Sequence, residues 1–386
     1  MKGHLKIAFY TDTFMPAVDG VVISIKNFTN ELEKRGHSVY IFTAGNDKKI
    51  QIIDGFPKIF FTRGIKFKKY PQYTFAMFPF FSSLKIRELD IDLIHSHTPF
   101  SMGISALTTA KVNKLPLIGS FHTLFTDKEV IKEYLPSNSF MKDVATKYSW
   151  KYARFFYNKC DIVLPPSTVI KNLLQKQNIM NTSVVENGID LKLFNPKVNG
   201  KRIRETMLNK KNDKIVLYVG RISKEKRIDT LIKAAKILKN KDILFILIGN
   251  GPALDYYIKM VNTFKLNDKV KFLGLIPNEK LPEYYSAADL FCIPSTFETQ
   301  GIVSLEAMAC GKPVVGADYM ALSELIKNGK NGEKFVPGNS VDCAKKIEKV
   351  INNMDEYKET VATAKNYSVE KTTDKLLGIY KEFIFS

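Results

Sequence analysis

Short apolar runs, each followed by a polar or glycine-rich loop, constrain the fold of this chain more than any other feature. Residues 214–220 form an almost continuous apolar run, and residues 243–248 form another that ends in Gly249-Asn250-Gly251. Such runs are typical of strands in a parallel sheet, where helices cover both faces. Sheets of this kind bind ligands in the loops at the carboxyl ends of their strands. The pattern therefore predicts an α/β fold and makes those loops the first place to search for a site.

The same pattern opens the chain and recurs along both halves. An apolar run at 5–10, a turn-rich loop, a helical pattern at 23–34 and a second run at 38–43 form the unit of a parallel sheet. Further strands are predicted at 93–95, 117–119, 162–164, 270–273, 290–293 and 313–315. A chain of 386 residues is too long for one such core. We therefore predict two doubly wound, Rossmann-like sheets that face each other across a cleft, joined by the polar stretch 195–213.

The net charge of +19 is divided almost evenly, with +10 on residues 1–195 and +9 on the rest. Neither half is therefore a basic tail. Nucleic acid, an anionic membrane surface or an anionic small substrate would each account for the charge. No RNA-binding or DNA-binding module is recognisable, so a nucleic-acid binder is the least favoured class.

The sequence shows no pattern of a membrane span, a signal peptide or a metal motif. The longest uncharged stretch, residues 93–110, contains histidine, proline and glycine and cannot replace an apolar span. The N-terminal residues lack a signal-peptide core, so we expect a cytosolic protein. The four cysteines are far apart and include no C-x-x-C pair. We therefore expect reduced thiols rather than a zinc site or a disulfide framework.

Residues 297–308 carry the first candidate binding loop, after the apolar run that ends at Ile293. A helix that starts near Gly301 would offer free N–H groups to a diphosphate. Glu298 would then lie in the loop, within reach of sugar hydroxyls. Glu306, about one and a half turns into the helix, can bind a ribose diol. Two ordinary solvated acids are the alternative, and the spacing alone favours neither interpretation.

The second candidate is a basic cluster after the run 214–220, which contains Arg221 and Lys226. Two fixed cations can pair with a departing diphosphate, as a metal ion does elsewhere. A solvated charged loop is the other interpretation, and the position after a buried strand makes the two equally good. With two such cations the chemistry needs no metal and no other cofactor.

In the first half, Gly20 and His122 each lie in a loop after a predicted strand. A glycine permits close approach of the backbone to a phosphate, although the loop lacks the G-x-G-x-x-G dinucleotide motif. His122 can contact a sugar or an acceptor, but taken alone it is better interpreted as structural. We interpret His95 and His97 as mainly structural.

Together these motifs resemble the retaining glycosyltransferases of family 4, which have the GT-B fold. The resemblance covers nearly the whole chain, and four motifs in the correct order make it specific. The motifs are E-x7-E from Glu298 to Glu306, Gly220-Arg221 with Lys226, Asn-Gly-Ile-Asp at 187–190 and Tyr-Ser-Val-Glu-Lys at 367–371.

The resemblance implies a different function for each part of the chain. Residues 1–195 would form a membrane-facing domain that binds the acceptor, and residues 196–365 a domain that binds the nucleotide sugar. Residues 366–386 would form a helix that crosses back to the first domain. The acceptor would attack the face that the nucleotide leaves, and no covalent nucleophile would be required.

It also implies a role for each site residue. Glu298 would hold sugar hydroxyls, Glu306 would bind the ribose, and Arg221 and Lys226 would stabilise the leaving phosphate. His122 would lie near the transferred sugar and the acceptor, and it completes the catalytic set. The remaining donor-binding residues would be Gly20, Thr299, Gln300, Gly301, Ile302 and Val303.

Within the family, Glu-Thr-Gln-Gly at 298–301 looks like the branch that contains diacylglycerol glucosyltransferases, although many relatives have Phe in place of Gln300. The run 95–103 and the pair His122-Thr123 look like that branch too. UDP-glucose is therefore the expected donor and a lipid the expected acceptor, at the inner face of the cell membrane.

A basic and aromatic stretch supports a lipid acceptor independently. Residues 56–87 hold ten aromatic and seven basic residues without an acid, and residues 142–159 form a second such stretch. Basic residues attract anionic lipid and aromatic side chains suit the interface. Lys66, Lys68 and Lys69 are the predicted membrane contacts. The alternative is that many of the phenylalanines are core and the lysines only solubilise the protein.

Two other enzyme functions stay open. One is a family 4 glucosyl or mannosyl transferase for a soluble sugar, phosphatidylinositol or a polysaccharide. The other is a nucleotide-sugar 2-epimerase, which shares the fold but belongs to a different motif set.

Overall fold

The computed structural model describes residues 3–15, 19–45, 58–67, 70–76, 82–127, 131, 139–208 and 214–385. The chain divides into two compact units. Unit 1 combines Met1–Gly188 with Val369–Ser386, and unit 2 is Ile189–Ser368. Each contains one sheet with helices between its strands, so the predicted α/β class with two doubly wound sheets is confirmed.

Unit 1 is built on a seven-stranded sheet of order β4-β3-β2-β1-β5-β6-β7. Every pair is parallel except the edge pair of β3 and β4. The strands are β1 (Lys6–Thr11), β2 (Ser38–Gly45), β3 (Ile59–Phe67), β4 (Tyr70–Ala76), β5 (Leu93–Ser96), β6 (Leu117–Ser120) and β7 (Ile162–Leu164). The helices are α1 (Gly20–Lys34), α2 (Ser82–Leu89), α3 (Ser101–Asn113), α4 (Ser139–Tyr157), α5 (Thr168–Lys176) and the C-terminal α14 (Val369–Phe385).

The C-terminal helix α14 belongs to the core of unit 1. Leu376 and Tyr380 are fully buried in the cluster that contains the β1 side chains Ile7 and Phe9. Its outer side is joined to α1, where Arg35 pairs with Asp374 at 2.5 Å. The sequence alone did not predict which strands this helix covers.

Strands β3 and β4 lie within the aromatic and basic stretch that we interpreted as a membrane surface. The Phe60 ring stacks on Phe42 of β2 with centroids 4.8 Å apart, and Ile59 is fully buried. This part of the stretch is therefore sheet edge and core, as the alternative interpretation held. Phe75 remains 47% exposed.

Unit 2 is built on a six-stranded parallel sheet of order β10-β9-β8-β11-β12-β13. The strands are β8 (Lys214–Val219), β9 (Ile243–Ile248), β10 (Val270–Gly274), β11 (Leu290–Ile293), β12 (Val314–Ala317) and β13 (Gly332–Phe335). The helices are α6 (Lys201–Met207), α7 (Ile228–Ile237), α8 (Leu254–Thr263), α9 (Leu281–Ala287), α10 (Ile302–Ala309), α11 (Ala321–Leu325), α12 (Ser340–Asn352) and α13 (Thr360–Lys365).

The stretch predicted as a linker is instead part of unit 2 where the structure describes it. Helix α6 lies within it, and Arg204 donates to the Ala287 carbonyl at 2.7 Å and to Asp289 at 2.9 Å. A Cβ on Gly200 would lie 2.3 Å from the Ala287 nitrogen, so the backbones are in close contact. The polar composition reflects a helix on the surface of the unit.

In both sheets the chain order reverses beside the first strand of the unit. In unit 1, β1 lies between β2 and β5, and in unit 2, β8 lies between β9 and β11. Helices that leave these neighbouring strands run to opposite sides, which opens a crevice at their carboxyl ends. The two crevices fall at the loops after β1 and β5 and at those after β8 and β11.

A buried carboxylate stabilises the edge of unit 2 where β13 meets α12. The Glu333 side chain is 1% exposed and lies 2.7 Å from Lys349 Nζ and 3.1 Å from Lys346 Nζ. The Tyr357 hydroxyl donates to it at 3.2 Å. Burial pushes the pKa of Glu333 upward, but the two lysines outweigh it, and the pKa is lowered.

We expect Glu333→Gln to lower the free energy of unfolding by about 2 kcal/mol at neutral pH, because two lysines lose their buried anion. Urea unfolding measures this. Since the pKa is lowered in the fold, the stabilisation is present above the ordinary value of 4.5 and is lost as the pH falls below it. Glu359, exposed and 3.1 Å from Lys330, gives the control Glu359→Gln, which should change stability by less than about 0.5 kcal/mol. Equal losses in the two variants would contradict this account.

Candidate active site

The loops after β8 and β11 are joined by an ion pair. Lys226 Nζ lies 2.7 Å from Glu298 Oε1, and it also donates to the Phe297 carbonyl at 3.1 Å. The two side chains are 19% and 14% exposed. Seventy-two positions apart in the sequence, they meet because their strands are neighbours in the sheet. Two of the predicted catalytic residues are thus brought together.

Arg221 lies at the start of the same loop, which backbone contacts hold against the loop after β9. The Ile222 amide donates to the Asn250 carbonyl at 3.0 Å. Gly249 has a φ of +139°, and a Cβ there would lie 1.9 Å from the Gly220 carbonyl oxygen. The Tyr218 hydroxyl donates to the Arg221 carbonyl at 2.9 Å. The backbone that carries the Arg221 side chain is therefore held in place by contacts within the protein.

Helix α10 begins where the sequence predicts. Gly301 is its N-cap with a φ of +81°, and as a glycine it has no side chain with which to cap the first turn. A Cβ at Gly301 would lie 2.9 Å from a Leu322 methyl group, so both space and conformation require glycine there. The first turn contains no acidic side chain. Its positive end can accept an anion next to Ile302 and Val303.

The two other predicted donor residues of this loop, Thr299 and Gln300, precede the helix directly. Gln300 is 4% exposed and Thr299 is half-buried. Both make interactions within the protein. These interactions contribute to the shape of the loop.

Glu306 lies inside unit 2 rather than on a solvated helix face. It is 3% exposed, and the Tyr285 hydroxyl donates to its Oε2 at 2.8 Å. Burial raises the pKa of Glu306 to about 7, although the bond from Tyr285 lowers it in part. This carboxyl therefore keeps its proton to a higher pH than a solvated glutamate does. The interpretation of Glu306 as a plain solvated acid is excluded.

In unit 1, Gly20 is exposed at the start of α1, but the nearby amides already have an acceptor. Asp19 caps the helix and accepts from the amides of Val21 and Val22, both at 2.9 Å. The Thr13 hydroxyl donates to the same carboxylate at 3.1 Å. A phosphate at this helix end would have to displace or approach a carboxylate, which disfavours it.

Three histidines line up at the carboxyl ends of β5 and β6. His97 Nδ1 lies 3.0 Å from His122 Nε2, and the two rings are 8° from coplanar. Their centroids are 5.3 Å apart. This equals the N···N distance plus the distance from each ring centre to its nitrogen, so the two rings lie side by side, edge to edge, rather than face to face. His95 stacks on His97 at 4.2 Å. Sequence reasoning missed this contact of His97 with His122.

The outer partners of this column are protein groups. His95 Nδ1 lies 2.6 Å from the Tyr380 hydroxyl of α14, and its Nε2 lies 2.8 Å from Ser120 Oγ. Burial lowers the pKa of His122 to about 4 and holds those of His95 and His97 well below the ordinary value. All three are therefore neutral near pH 7, and His122 acts as a hydrogen-bonding group rather than as a cation.

The predicted membrane contacts lie where the structure gives no side-chain detail. Lys68 and Lys69 are outside the described residues, and only the backbone of Lys66 is described, in β3. Within the described ranges, no group of three or more His, Cys, Asp or Glu side chains could hold a metal ion. In the same ranges, no helix is long and apolar enough to cross a membrane. All four cysteines are buried and free.

Comparison with known families gives matches to both units. Residues 18–193 match the family described as Glycosyltransferase Family 4. Residues 200–367 match the family described as Glycosyl transferases group 1.

Three curated proteins illustrate the relatives. The chain is 32% identical to the alpha-monoglucosyldiacylglycerol synthase of Streptococcus pneumoniae, over 86% of this chain and 75% of that protein. It is 28% identical to the synthase of the same name from Acholeplasma laidlawii, over 86% and 85%. It is 26% identical to a GDP-mannose-dependent alpha-mannosyltransferase of Corynebacterium glutamicum, over 85% and 76%.

Solved structures share the fold of the whole chain. The Anabaena protein HepE, in complex with UDP and glucose, has a TM-score of 0.77 at 20% identity and covers 98% of this chain and 100% of its own. Sucrose-phosphate synthase from Thermosynechococcus elongatus has a TM-score of 0.79 at 21% identity and covers 98% of each. The likeness confirms the two-domain fold that the sequence predicted.

Glu306→Gln should stabilise the protein more at pH 8 than at pH 5. A carboxyl whose pKa is raised to about 7 in the fold contributes stability below its ordinary value of 4.5, and that contribution is lost as the pH rises through 7. The amide has no such loss, so the difference between variant and wild type should grow by about 2 kcal/mol from pH 5 to pH 8. Urea unfolding at both values measures it. Exposed Glu279 provides the control Glu279→Gln, and a pH-independent difference for Glu306→Gln would show that burial does not raise this pKa.

Proposed function

The chain belongs to glycosyltransferase family 4 and is a glycosyltransferase of the GT-B type; from that premise we propose that it transfers glucose from UDP-glucose to a lipid acceptor such as diacylglycerol. The observation that carries the proposal is the Lys226–Glu298 ion pair, whose glutamate lies in the loop that leads into the first turn of α10. It would provide a cation for the diphosphate, an acid for the sugar hydroxyls and a helix N-terminus for the anion at one edge of a sheet. The diacylglycerol synthases among the relatives support the acceptor class.

The donor would bind in unit 2, with its diphosphate at the first turn of α10 and beside Arg221 and Lys226. Lys226 Nζ lies 2.7 Å from Glu298 Oε1 and neutralises this carboxylate. A bound diphosphate offers Lys226 a stronger anionic partner, which would release Glu298 to accept hydrogen bonds from the sugar hydroxyls. This exchange of partners would couple diphosphate binding to sugar positioning.

The reaction we propose proceeds with retention. The acceptor hydroxyl attacks the anomeric carbon on the face that the nucleotide leaves, and the bond from that carbon to the phosphate oxygen breaks. The leaving phosphate oxygen takes the acceptor proton, while Arg221 and Lys226 stabilise the charge that develops on the diphosphate. With two fixed cations in this role, no metal and no covalent nucleophile is required.

Unit 1 would bind the acceptor, with neutral His122 donating or accepting a hydrogen bond near the transferred sugar. Glu306 would bind the ribose, for which its buried carboxyl would have to turn an oxygen toward the ligand. The enzyme would act in the cytoplasm, peripherally attached to the inner face of the cell membrane. A soluble or phosphatidylinositol acceptor with a mannosyl donor is the second candidate, since a GDP-mannose-dependent mannosyltransferase is also a relative.

The assay is transfer of radiolabelled sugar from UDP-glucose, UDP-galactose or GDP-mannose into vesicles that contain diacylglycerol and anionic phospholipid, with EDTA present. We expect label from UDP-glucose in the lipid extract. Hydrolysis of a donor without lipid labelling would contradict the lipid acceptor, and loss of transfer with EDTA would contradict metal independence. An epimerised sugar nucleotide in the absence of acceptor would favour the 2-epimerase.

Glu298→Ala should reduce kcat at least about a hundredfold, since the positioning of the sugar is lost, while UDP binds as well as before or more tightly. Tighter binding is expected because Lys226 loses its internal anion and is available to the diphosphate. Isothermal titration with UDP and steady-state rates separate the two effects. Unchanged kcat would remove Glu298 from the site.

Arg221→Ala should weaken UDP binding about tenfold or more, as expected when one charge-assisted contact to the diphosphate is lost. Lys224 lies on the same loop and is exposed, so Lys224→Ala is the matched control with nearly unchanged affinity. Equal affinities of the Arg221 variant and the wild type for UDP would contradict the diphosphate role.

A further inference from the structure

Helix α4 carries apolar side chains on two opposite sides. Its inner side is core: Ala153, Phe156 and Tyr157 are buried, and Phe156 packs on Gly103 of α3. The opposite side is in solvent, where Tyr148 is 63% exposed. A surface helix needs only one apolar face to pack on its own domain. The outer one is therefore not explained by the fold of unit 1.

The outer side chains form one continuous stripe. Val144, Tyr148, Lys151 and Phe155 are spaced by four, three and four residues, which places them on one face of a helix. Val144 is 36% and Phe155 51% exposed. We call these four residues the α4 outer face. Single exposed apolar residues are ordinary, whereas three on one stripe form a surface.

The charge of this surface is positive. Exposed Lys147 and Lys159 flank the outer face, and Lys159 Nζ lies 5.3 Å from the centre of the Phe155 ring. Among the side chains described from 143 to 159, Asp143 is the one acid, and it lies outside the stripe. Lysines around exposed aromatic and aliphatic groups are the composition of helices that lie in the interface of anionic bilayers.

The position of α4 connects this surface to the candidate acceptor site. The Tyr152 hydroxyl donates to the Pro99 carbonyl, and the Tyr157 hydroxyl donates to the Ser120 carbonyl at 3.2 Å. Pro99 follows β5 and Ser120 ends β6, at the sheet edge that carries His97 and His122. A bilayer on the α4 outer face would therefore be separated from these loops by the width of one helix, about 10 Å.

We propose that the α4 outer face, with Lys147 and Lys159, docks this protein on an anionic lipid bilayer. The aromatic side chains enter the headgroup region, and the lysines bind the anionic headgroups. The surface is distinct from Lys66, Lys68 and Lys69. The proposal deepens the proposed function, since it supplies the contact through which a membrane-resident acceptor is reached.

Trp150 gives a direct measurement because it is the single tryptophan of the chain and lies on α4. Energy transfer from Trp150 to dansyl-labelled lipid reports the approach of this part of unit 1 to the bilayer, and the variants below test whether the α4 outer face makes the contact. The vesicles contain equal parts of phosphatidylglycerol and phosphatidylcholine, or phosphatidylcholine alone. We expect energy transfer with the anionic vesicles, and this transfer should decline when salt is added. Partition into vesicles of phosphatidylcholine alone, measured by the same energy transfer, should be at least tenfold weaker.

Two variants test the surface. Tyr148→Ser with Phe155→Ser removes aromatic area, and Lys147→Glu with Lys151→Glu and Lys159→Glu reverses the charge. Each should reduce partition into anionic vesicles at least tenfold, with thermal unfolding unchanged. The matched control is Ile237→Ser with Tyr256→Ser, which removes two side chains of unit 2 that are each 50% exposed and should leave partition unchanged.

Partition of the serine double variant equal to that of the wild type, measured by vesicle sedimentation, would overturn the proposal. Wild-type protein that does not bind anionic vesicles would also overturn it. So would a wild-type dimer that the serine double variant converts to monomers, because a second copy of the chain would then cover this face. The proposed function is tested separately, by measuring sugar transfer to detergent-solubilised diacylglycerol in the absence of vesicles. If the protein binds vesicles but does not transfer sugar to diacylglycerol, the docking proposal stands and the lipid acceptor is contradicted.

Discussion

The candidate site of each unit depends on one parallel strand that pairs on both sides, β1 in unit 1 and β8 in unit 2. All strands joined to it end at the same edge, so loops that are distant in sequence are delivered to one place. The pairing of β8 with β11 makes a lysine and a glutamate from different crossovers neighbours. Because β8 is buried on both faces, the backbone beneath this ion pair cannot shift without disturbing the core.

The interior strands were predictable because burial on both faces leaves an unbroken apolar run. The edges were not. β3 and β4 contain Arg63, Lys66 and Gln72, and β13 contains Glu333 and Lys334. A strand at an edge faces solvent or a salt bridge on part of its surface, so its sequence loses the apolar signal. The aromatic stretch at 56–87 was consequently interpreted as a membrane surface, although its described core residues pack on β2.

The candidate site was likewise predictable from the sequence only in part. Local spacing predicted the start of α10 at Gly301 and the placement of Glu298 and Glu306 around it, because helix geometry is set within a few residues. Contacts across the sheet were beyond reach of the sequence alone: the bond of Tyr285 to Glu306, and the contact of His97 with His122. The cap that Asp19 places on α1 was equally hidden, since the choice between capping and ligand binding depends on the direction of one side chain.

The two units differ in whether one continuous segment of the chain forms them. Unit 2 is a single continuous segment, whereas unit 1 takes its last core helix from the C-terminal end, where Leu376 and Tyr380 fill space beside β1. On the ribosome, unit 2 therefore has all of its residues before unit 1 has its final helix. Nascent unit 1 exposes an apolar surface until α14 has been synthesised, and the His95–Tyr380 contact cannot form before then. The histidine column can therefore be joined to α14 only after all of unit 2 has been synthesised.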